Sequence, residues 1–373
     1  MMGLISVMLL LSSILGQISL PFPGPGTPVT PTGACSSGGA GGYACVETVT
    51  ISDLLVGSSS SSNFPMYFAG TYPYLATIAN NGKAKSSSGY DIVFTSDSGC
   101  SSLLSWEQEY WSGNTGKVVY WVQIPTLSHT SNTVIYLCVG NSSISSFQGG
   151  TLGDTSLKGW WTFQEGTGSS AYDYSGNSNT ATWQGTQAGT SGYYSAGYVG
   201  PWAGTFDGSD NYVVTGGAPS LNIYGTPAMS VALWAKRSSS GSLGQLFVNP
   251  GYGSGVDFEI TINVIANNIK MTKFGVIDIY INNCLPTDTN WHQFVGVWSS
   301  TGTYIYVDGS ETGSSSNTSN IASNGNSVAV LGSTTWSGLI DDERVYSRAL
   351  STDWIAASFN NQSSPGTFYS VSP

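Results

Sequence analysis

Between Tyr43 and Phe147 the sequence runs in short apolar or alternating segments. CVETVTI, FPMYFAG, YDIVFTS, VVYWVQIP and TVIYLCVG follow one another, separated by clusters of Ser, Gly and Asn. A strand sends successive side chains to opposite faces, so runs of this length with such punctuation read as antiparallel β-structure. The pattern returns in GTFDGSDNYVVT, MSVALWAK and VDFEITINV, where alternation marks strands with one face in a core. In IYVDGSE, Asp308 and Gly309 suit a type I′ hairpin, because both central residues of that turn need positive φ. The chain is therefore expected to be all-β, with a compact antiparallel β-sandwich in its first half.

Composition permits real cores and limits the partners. Charged residues make up 8% of the 373, against about 25% in an average soluble domain. Phe, Trp and Tyr nevertheless reach 12%, which a disordered chain lacks, and the length suggests two domains. A net charge of −11 with ten Lys and Arg leaves no basic stripe, so nucleic acid and anionic membrane surfaces are disfavoured as partners.

The apolar run from Leu4 to Leu15 has the length of a signal-peptide core and is too short for a stable membrane span. Residues 1–20 are read as a signal peptide or apolar leader, although the first basic residue is Lys83 and no positive segment precedes the run. PFPGPGTPVTPTG and the Gly/Ser stretch after it form a spacer over 21–42. Five cysteines are present, so at least one is unpaired within a monomer. Bridges among Cys35, Cys45, Cys100 and Cys138 suit an exported chain, Cys100 with Cys138 being one arrangement, and Cys284 reads as a small buried hydrophobe. No CxxC or zinc pattern occurs.

The catalytic candidates are few. In Trp106-Glu107-Gln108-Glu109-Tyr110-Trp111, a regular strand places Glu107 and Glu109 on one face, and paired carboxylates flanked by aromatics are the equipment of a glycosidase. Carboxylates exposed on a strand are also ordinary. His129 and His292 are the only histidines, so a hydrolytic triad has little to draw on and HExxH is absent.

Three ordered motifs carry a resemblance. KGWWTFQEGTGSSAYDYSGNSN (158–179), WHQFVGVWSSTGTYIYVDGSETG (291–313) and SGLIDDERVYSRALS (337–351) resemble the opening, the penultimate hairpin and the closing strand of a laminin-G-like, concanavalin A-like jelly roll. The order of pieces over 43–150 resembles a bacterial β-rich domain of unknown function that often stands before it. The resemblance implies a jelly roll over 154–362 and a tail over 363–373. In such folds a calcium ion commonly sits on a turn beside the last strand, which carries over to Asp173 and Asp341, with Asn177 and Glu165 as further oxygen donors. Asn179 and Asp342 lie close to the same set. The alternative is that these side chains cap turns and that Asp341 locks the fold by pairing with Arg348. The family usually has an apolar residue where Glu343 stands. Jelly-roll glucanases carry an ExDxxE-type strand, from which the Glu107/Glu109 strand departs.

If the jelly roll binds sugar, its platform should be aromatic, since rings pack against sugar CH faces. Tyr193, Tyr194, Tyr198 and Trp202 sit in a Gly/Ser-rich segment, with Trp183 and Trp336 as neighbours. The same rings would serve equally as satellite core. The function expected is non-catalytic, lectin-like recognition of carbohydrate or another surface ligand, for adhesion or tethering outside the cell or on a cell or virion surface. One rival is a structural or receptor-recognition component of a surface layer, fimbria or phage tail. The other is a glycoside hydrolase using Glu107 and Glu109. Sequons at Asn141, Asn317 and Asn361 matter in a glycosylating host.

Overall fold

The computed structural model describes residues 35, 41–217, 219–223, 228–239, 244–248, 258–263, 267–273, 277–319, 329–333 and 335–372. The leader over 1–20 and nearly all of the 21–42 spacer lie outside the described residues.

Six strands open the fold: β1 (Cys45–Ile51), β2 (Ser61–Thr71), β3 (Ile92–Thr95), β4 (Trp106–Trp111), β5 (Lys117–Leu127) and β6 (Thr133–Val139). The next eight are β7 (Leu157–Trp161), β8 (Ser170–Ala171), β9 (Ala181–Gln184), β10 (Tyr194–Ala196), β11 (Trp202–Asp207), β12 (Tyr212–Thr215), β13 (Met229–Arg237) and β14 (Gly244–Val248). They are followed by β15 (Phe258–Asn263), β16 (Asn268–Lys273), β17 (Ile277–Asn282), β18 (Trp291–Ser299), β19 (Gly302–Val307), β20 (Ser310–Ser315), β21 (Val330–Leu331) and β22 (Ser337–Tyr346). The chain then forms α1 (Thr352–Ser363), α2 (Pro365–Phe368) and β23 (Tyr369–Ser372).

Four sheets result. The first sandwich pairs a sheet ordered β23-β1-β6-β3 with a sheet ordered β2-β5-β4. The jelly roll pairs β10-β11-β22-β13-β18-β19-β20, with β7 also on β22, against β17-β16-β15-β14-β21-β12-β9-β8. The architecture is thus all-β, a concanavalin A-like jelly roll with a smaller antiparallel sandwich. Cys35 bonds Cys45 and Cys100 bonds Cys138, while Cys284 is free and buried. The β19–β20 hairpin turns on Asp308 and Gly309, at φ 51° and 76°.

The three-stranded sheet is covered on both faces. Phe68 packs against Phe94 and Tyr120 packs against Phe94 inside the sandwich, while Tyr67 and Trp121 face the jelly roll, where Trp121 meets Trp160 on β7. Double burial explains why FPMYF and VVYWV read as nearly unbroken apolar runs. One continuous core runs from the sandwich to the outer face of the jelly-roll sheet, and a second fills the jelly roll itself.

The stretch 363–373, read from sequence as a tail, contains α2 and β23. β23 pairs antiparallel with β1, Val371 opposite Val49, so the sandwich is completed by residues from the far side of the jelly roll. Side chains of α1 and β23 also cover the free edge of β2. The Asn361 side chain accepts from the Tyr67 N–H (2.6 Å) and donates to the Tyr67 carbonyl (3.0 Å). The Tyr369 hydroxyl does the same at Ala69 (2.9 and 3.0 Å). An uncovered edge offers unpaired donors and acceptors to other chains, and these contacts remove that hazard. They also bury Asn361, which leaves that sequon inaccessible in the folded chain. α1 begins at Ser351, whose hydroxyl accepts from the Trp354 N–H, and lays Trp354 against Phe64 of β2. Among the described residues no helix is long and apolar enough to cross a membrane.

Candidate ligand-binding surface

Glu107 stands opposite Trp121 in the β4–β5 ladder, and the register slips between Gln108 and Tyr110, leaving Glu109 as the extra residue of a bulge. Both lie on the Trp121 side of the sheet, Glu107 opposite Trp121 in the ladder and Glu109 bonded to the Trp121 ring. Burial pushes Glu107 up to about 7. Burial pushes Glu109 well above the carboxylate range, the Asp342 charge adds to this, and the Trp121 N–H and Arg344 oppose it. Glu109 Oε2 accepts from Trp121 Nε1 (2.5 Å), and Oε1 is buried without a partner. Gly200 lies against Oε1: a Cβ there would come within 2.5 Å of it, and φ of +86° independently favours glycine. Glu109 is therefore walled in by packing and not presented with Glu107 across an open cleft.

The closing strand supplies the rest of the seam. β22 slips register against β13 between Ala232 and Trp234, with Asp342 at φ 50°, so its alternation breaks at the acidic run. Asp341 is buried and its Oδ2 accepts from the Tyr198 and Val199 N–H groups (2.7 and 2.9 Å). Burial raises its pKa well above the usual range although those two bonds oppose it. Asp342 Oδ1 takes Trp160 Nε1 (2.8 Å) and the Arg344 guanidinium (3.0 and 2.9 Å). Arg344 in turn lies over the rings of Trp121 (4.0 Å) and Trp160 (4.6 Å). The expected Asp341–Arg348 lock is corrected: Arg348 pairs with Asp154 (3.1 Å), because the bulge brings Arg344 to the acidic pair instead.

The calcium candidates are dispersed among local tasks. Asp173 Oδ1 accepts from the Trp160 and Ser175 N–H groups, both at 2.9 Å, and Oδ2 accepts from Ser175 Oγ and the Asn179 N–H. Asn177 Nδ2 donates to the Leu157 carbonyl, and Asn179 Nδ2 donates to Lys158 and Ser220. Glu165 Oε1 accepts from the Tyr172 N–H (2.7 Å). Among the described residues, the one group of three acidic, His or Cys donors close enough for a single ion is Cys35, Cys45 and Glu47, whose cysteines are bonded to each other. Asp173, Asp341 and Glu165 do not converge, so this donor set does not fit a calcium ion.

The proposed ring platform is mostly core. Tyr193 and Tyr194 are buried, the first stacked on buried Trp183 (4.8 Å) and the second donating to the Ser170 carbonyl (2.6 Å). Trp336 is buried as well. These rings belong to the core of the jelly roll. Trp202 and Tyr198 are half-buried.

Tyr198 leads to a surface that pattern reading missed. Its ring lies on Trp234 (4.2 Å) and beside Trp291 (5.9 Å), and Phe359 of α1 stacks on Trp234 (5.8 Å). Trp291 and Phe359 are half-buried, like Tyr198. Next to Trp291, the His292 ring is held from both sides: Nδ1 meets Asp308 Oδ2 at 2.7 Å and Nε2 meets Asp288 Oδ1 at 2.8 Å. Burial works against protonation of His292, but the two carboxylates outweigh it and raise its pKa. The His292 bond holds Asp288 below the usual carboxylate range, helped by the Asn290 N–H. Burial and then the Asp308 charge push the Tyr198 phenol up to about 12, which places Asp308 within electrostatic reach of the rings. Lys236 is directly opposite Trp291 in the β13–β18 ladder and shares its face. A signal did exist: β18 and β19 pair Phe294 with Val307, so His292 and Asp308 had to lie near each other across the hairpin. His129, by contrast, is half-buried and bonded to Ser60.

Residues 207–356 match the family described as the concanavalin A-like lectin/glucanases superfamily, and residues 88–184 match a domain of unknown function, DUF2341. The second match runs from before β3 into β9, across the boundary expected near 150. No curated protein matches the chain. Among solved structures, domain 4 of AbnA, a GH43 extracellular arabinanase from Geobacillus stearothermophilus in complex with arabinotriose, is 19% identical; the match covers 54% of this chain and 96% of that one, with a TM-score of 0.41. The binding domain of botulinum neurotoxin DC in complex with rat synaptotagmin II is 13% identical, covering 56% and 52%, at 0.44. The same toxin's binding domain in complex with SialylT is 14% identical, with the same coverage, at 0.43. The chain spans about half the length of these toxin domains.

Proposed function

Because residues 207–356 form a concanavalin A-like lectin/glucanase domain behind a domain of unknown function, we propose that this chain is a non-catalytic binding protein acting outside the cell. Its jelly roll recognises carbohydrate on a surface, for adhesion or tethering. The observation that carries the reading is the family match on a two-sheet jelly roll. The two disulfides fit an oxidising compartment.

Binding is favoured over hydrolysis by the state of Glu109. A glycosidase needs two carboxyls facing one cleft with room for substrate or water between them, and Glu109 spends one oxygen on Trp121 while the other lies against Gly200. The test is a glycan array probed with the full chain, alongside a reducing-sugar release assay on the glycans retained. Retention without release supports the reading. Release abolished by Glu107→Gln would move the chain to the hydrolases, and self-association with no glycan retained would move it to structural components.

A further inference from the structure

We infer that the ligand contacts the Tyr198, Trp291 and Phe359 rings and the Asp288–His292–Asp308 bracket beside them, and that it is an uncharged saccharide. This rests on the lectin-like reading and gives that reading a place and a ligand class.

Three features converge. The rings come from three separate parts of the chain, the loop before β11, the start of β18 and helix α1, and meet around buried Trp234 while each remains half-exposed. Rings of this kind serve the CH face of a pyranose or furanose, because the contact is broad and orders few rotors. Hydrogen-bonding capacity lies alongside. Asp288 is half-exposed, and its Oδ1 is occupied by His292 and the Asn290 N–H. The carboxyl remains half-exposed, and a carboxylate oxygen can accept from a sugar hydroxyl. His292 is immobilised by bonds to both ring nitrogens, so the carboxylates it bridges are fixed before a ligand arrives.

Charge selects the ligand class. Lys236 stands opposite Trp291, Arg237 donates to the Pro286 and Asp288 carbonyls, and Asp288 and Asp308 hold the His292 ring between them, so two cationic side chains and two carboxylates share this rim. An anionic sugar would meet two carboxylates at the position where it needs cations, whereas a neutral one loses nothing there.

The test uses the full chain with three variants. Trp291→Ala removes a ring, Asp288→Asn changes a half-exposed acid that holds up no core, and Tyr172→Ala removes an exposed ring elsewhere as a control. Binding to neutral glycans is expected to weaken about tenfold in Trp291→Ala, to weaken measurably in Asp288→Asn, to be unchanged in Tyr172→Ala, and to vary little with salt. Circular dichroism and the melting temperature of each variant separate lost contact from lost fold, and Asp288→Asn decides if Trp291→Ala unfolds. Glycan binding that ignores both Trp291→Ala and Asp288→Asn overturns this site and leaves the lectin-like function standing. A preference for sialylated or uronate glycans overturns the ligand class. No glycan bound by the unaltered chain overturns the site and the function together.

Discussion

Trp160 and Trp161 are neighbours on β7 and enter different cores. Trp161 joins Phe163, Phe206, Leu233 and Val345 inside the jelly roll, an assembly held by apolar packing. Trp160 points the other way, into the seam with the sandwich, where Trp121, Arg344, Asp341, Asp342 and Glu109 meet. β22 makes the same division: Ile340 and Val345 face the interior, Asp341, Arg344 and Tyr346 the seam. Apolar side chains tolerate many arrangements of similar volume, whereas a guanidinium stacked on two rings and bonded to one carboxylate admits few. The interior therefore supplies burial, and the seam fixes how the two sandwiches are set against each other.

The contrast breaks most sharply at Arg344. Arg344→Ala leaves Asp342 buried without its cation, and a loss of about 3–5 kcal/mol in urea unfolding is expected. A loss below about 1 kcal/mol would show that the seam is packed like the interior.

Acidity should separate the regions next. Glu107, Glu109, Asp341 and Glu343 all have folded pKa values raised by burial, so the folded state holds their protons more tightly than the unfolded chain does. Their contribution is full below the unfolded values, 3.8 for Asp341 and 4.5 for the three glutamates, and is lost as pH climbs, for Glu107 across the window from 4.5 to about 7. His292, also raised, loses its contribution in the same direction above its unfolded value of 6.5. Asp97, Asp207, Asp288 and Asp353 are lowered and act oppositely, but only as pH falls below their unfolded value of 3.8. Stability should peak in mild acid and fall by about 2–4 kcal/mol toward pH 8; a thermal melt that rises steadily from pH 5 to 8 would contradict this.

Glu343 is the exception inside the apolar region. It sits opposite Trp161, fully buried, with neither carboxyl oxygen bonded. Glu343→Leu is expected to stabilise the chain by about 1–3 kcal/mol at pH 7, with a smaller gain at pH 4, where the native carboxyl is protonated in both states. The smallest effect belongs to Arg348, at the partly exposed rim. Arg348→Ala should cost under about 1 kcal/mol, and a larger drop in urea midpoint would extend the rigid seam outward to Asp154.

Sequence made the strands legible because their patterns are local. CVETVTI is β1 to the residue, and Asp308-Gly309 turns the hairpin it announces. The seam was illegible because it depends on two bulges. Glu109 and Asp342 each occupy a slipped register, and an alternating pattern carries no mark of where it slips. The rings at 193, 194 and 336 look identical in a loop or a core until their strands are placed. β23 was missed for another reason: YSVS is short, and its partner lies about 320 residues earlier, beyond any periodicity within a window.

That pairing of Val49 with Val371 also sets the order of events in synthesis. Parts of β1 and β6 can meet early, but the sheet lacks its fourth strand, and β2 its edge cover, until the whole jelly roll has been translated. Contacts of such sequence separation are slow to form, and an unfinished sheet edge is an invitation to aggregate while it waits. Of the two domains, the one translated earlier is thus the one finished later, because its closing strand follows the jelly roll in the chain.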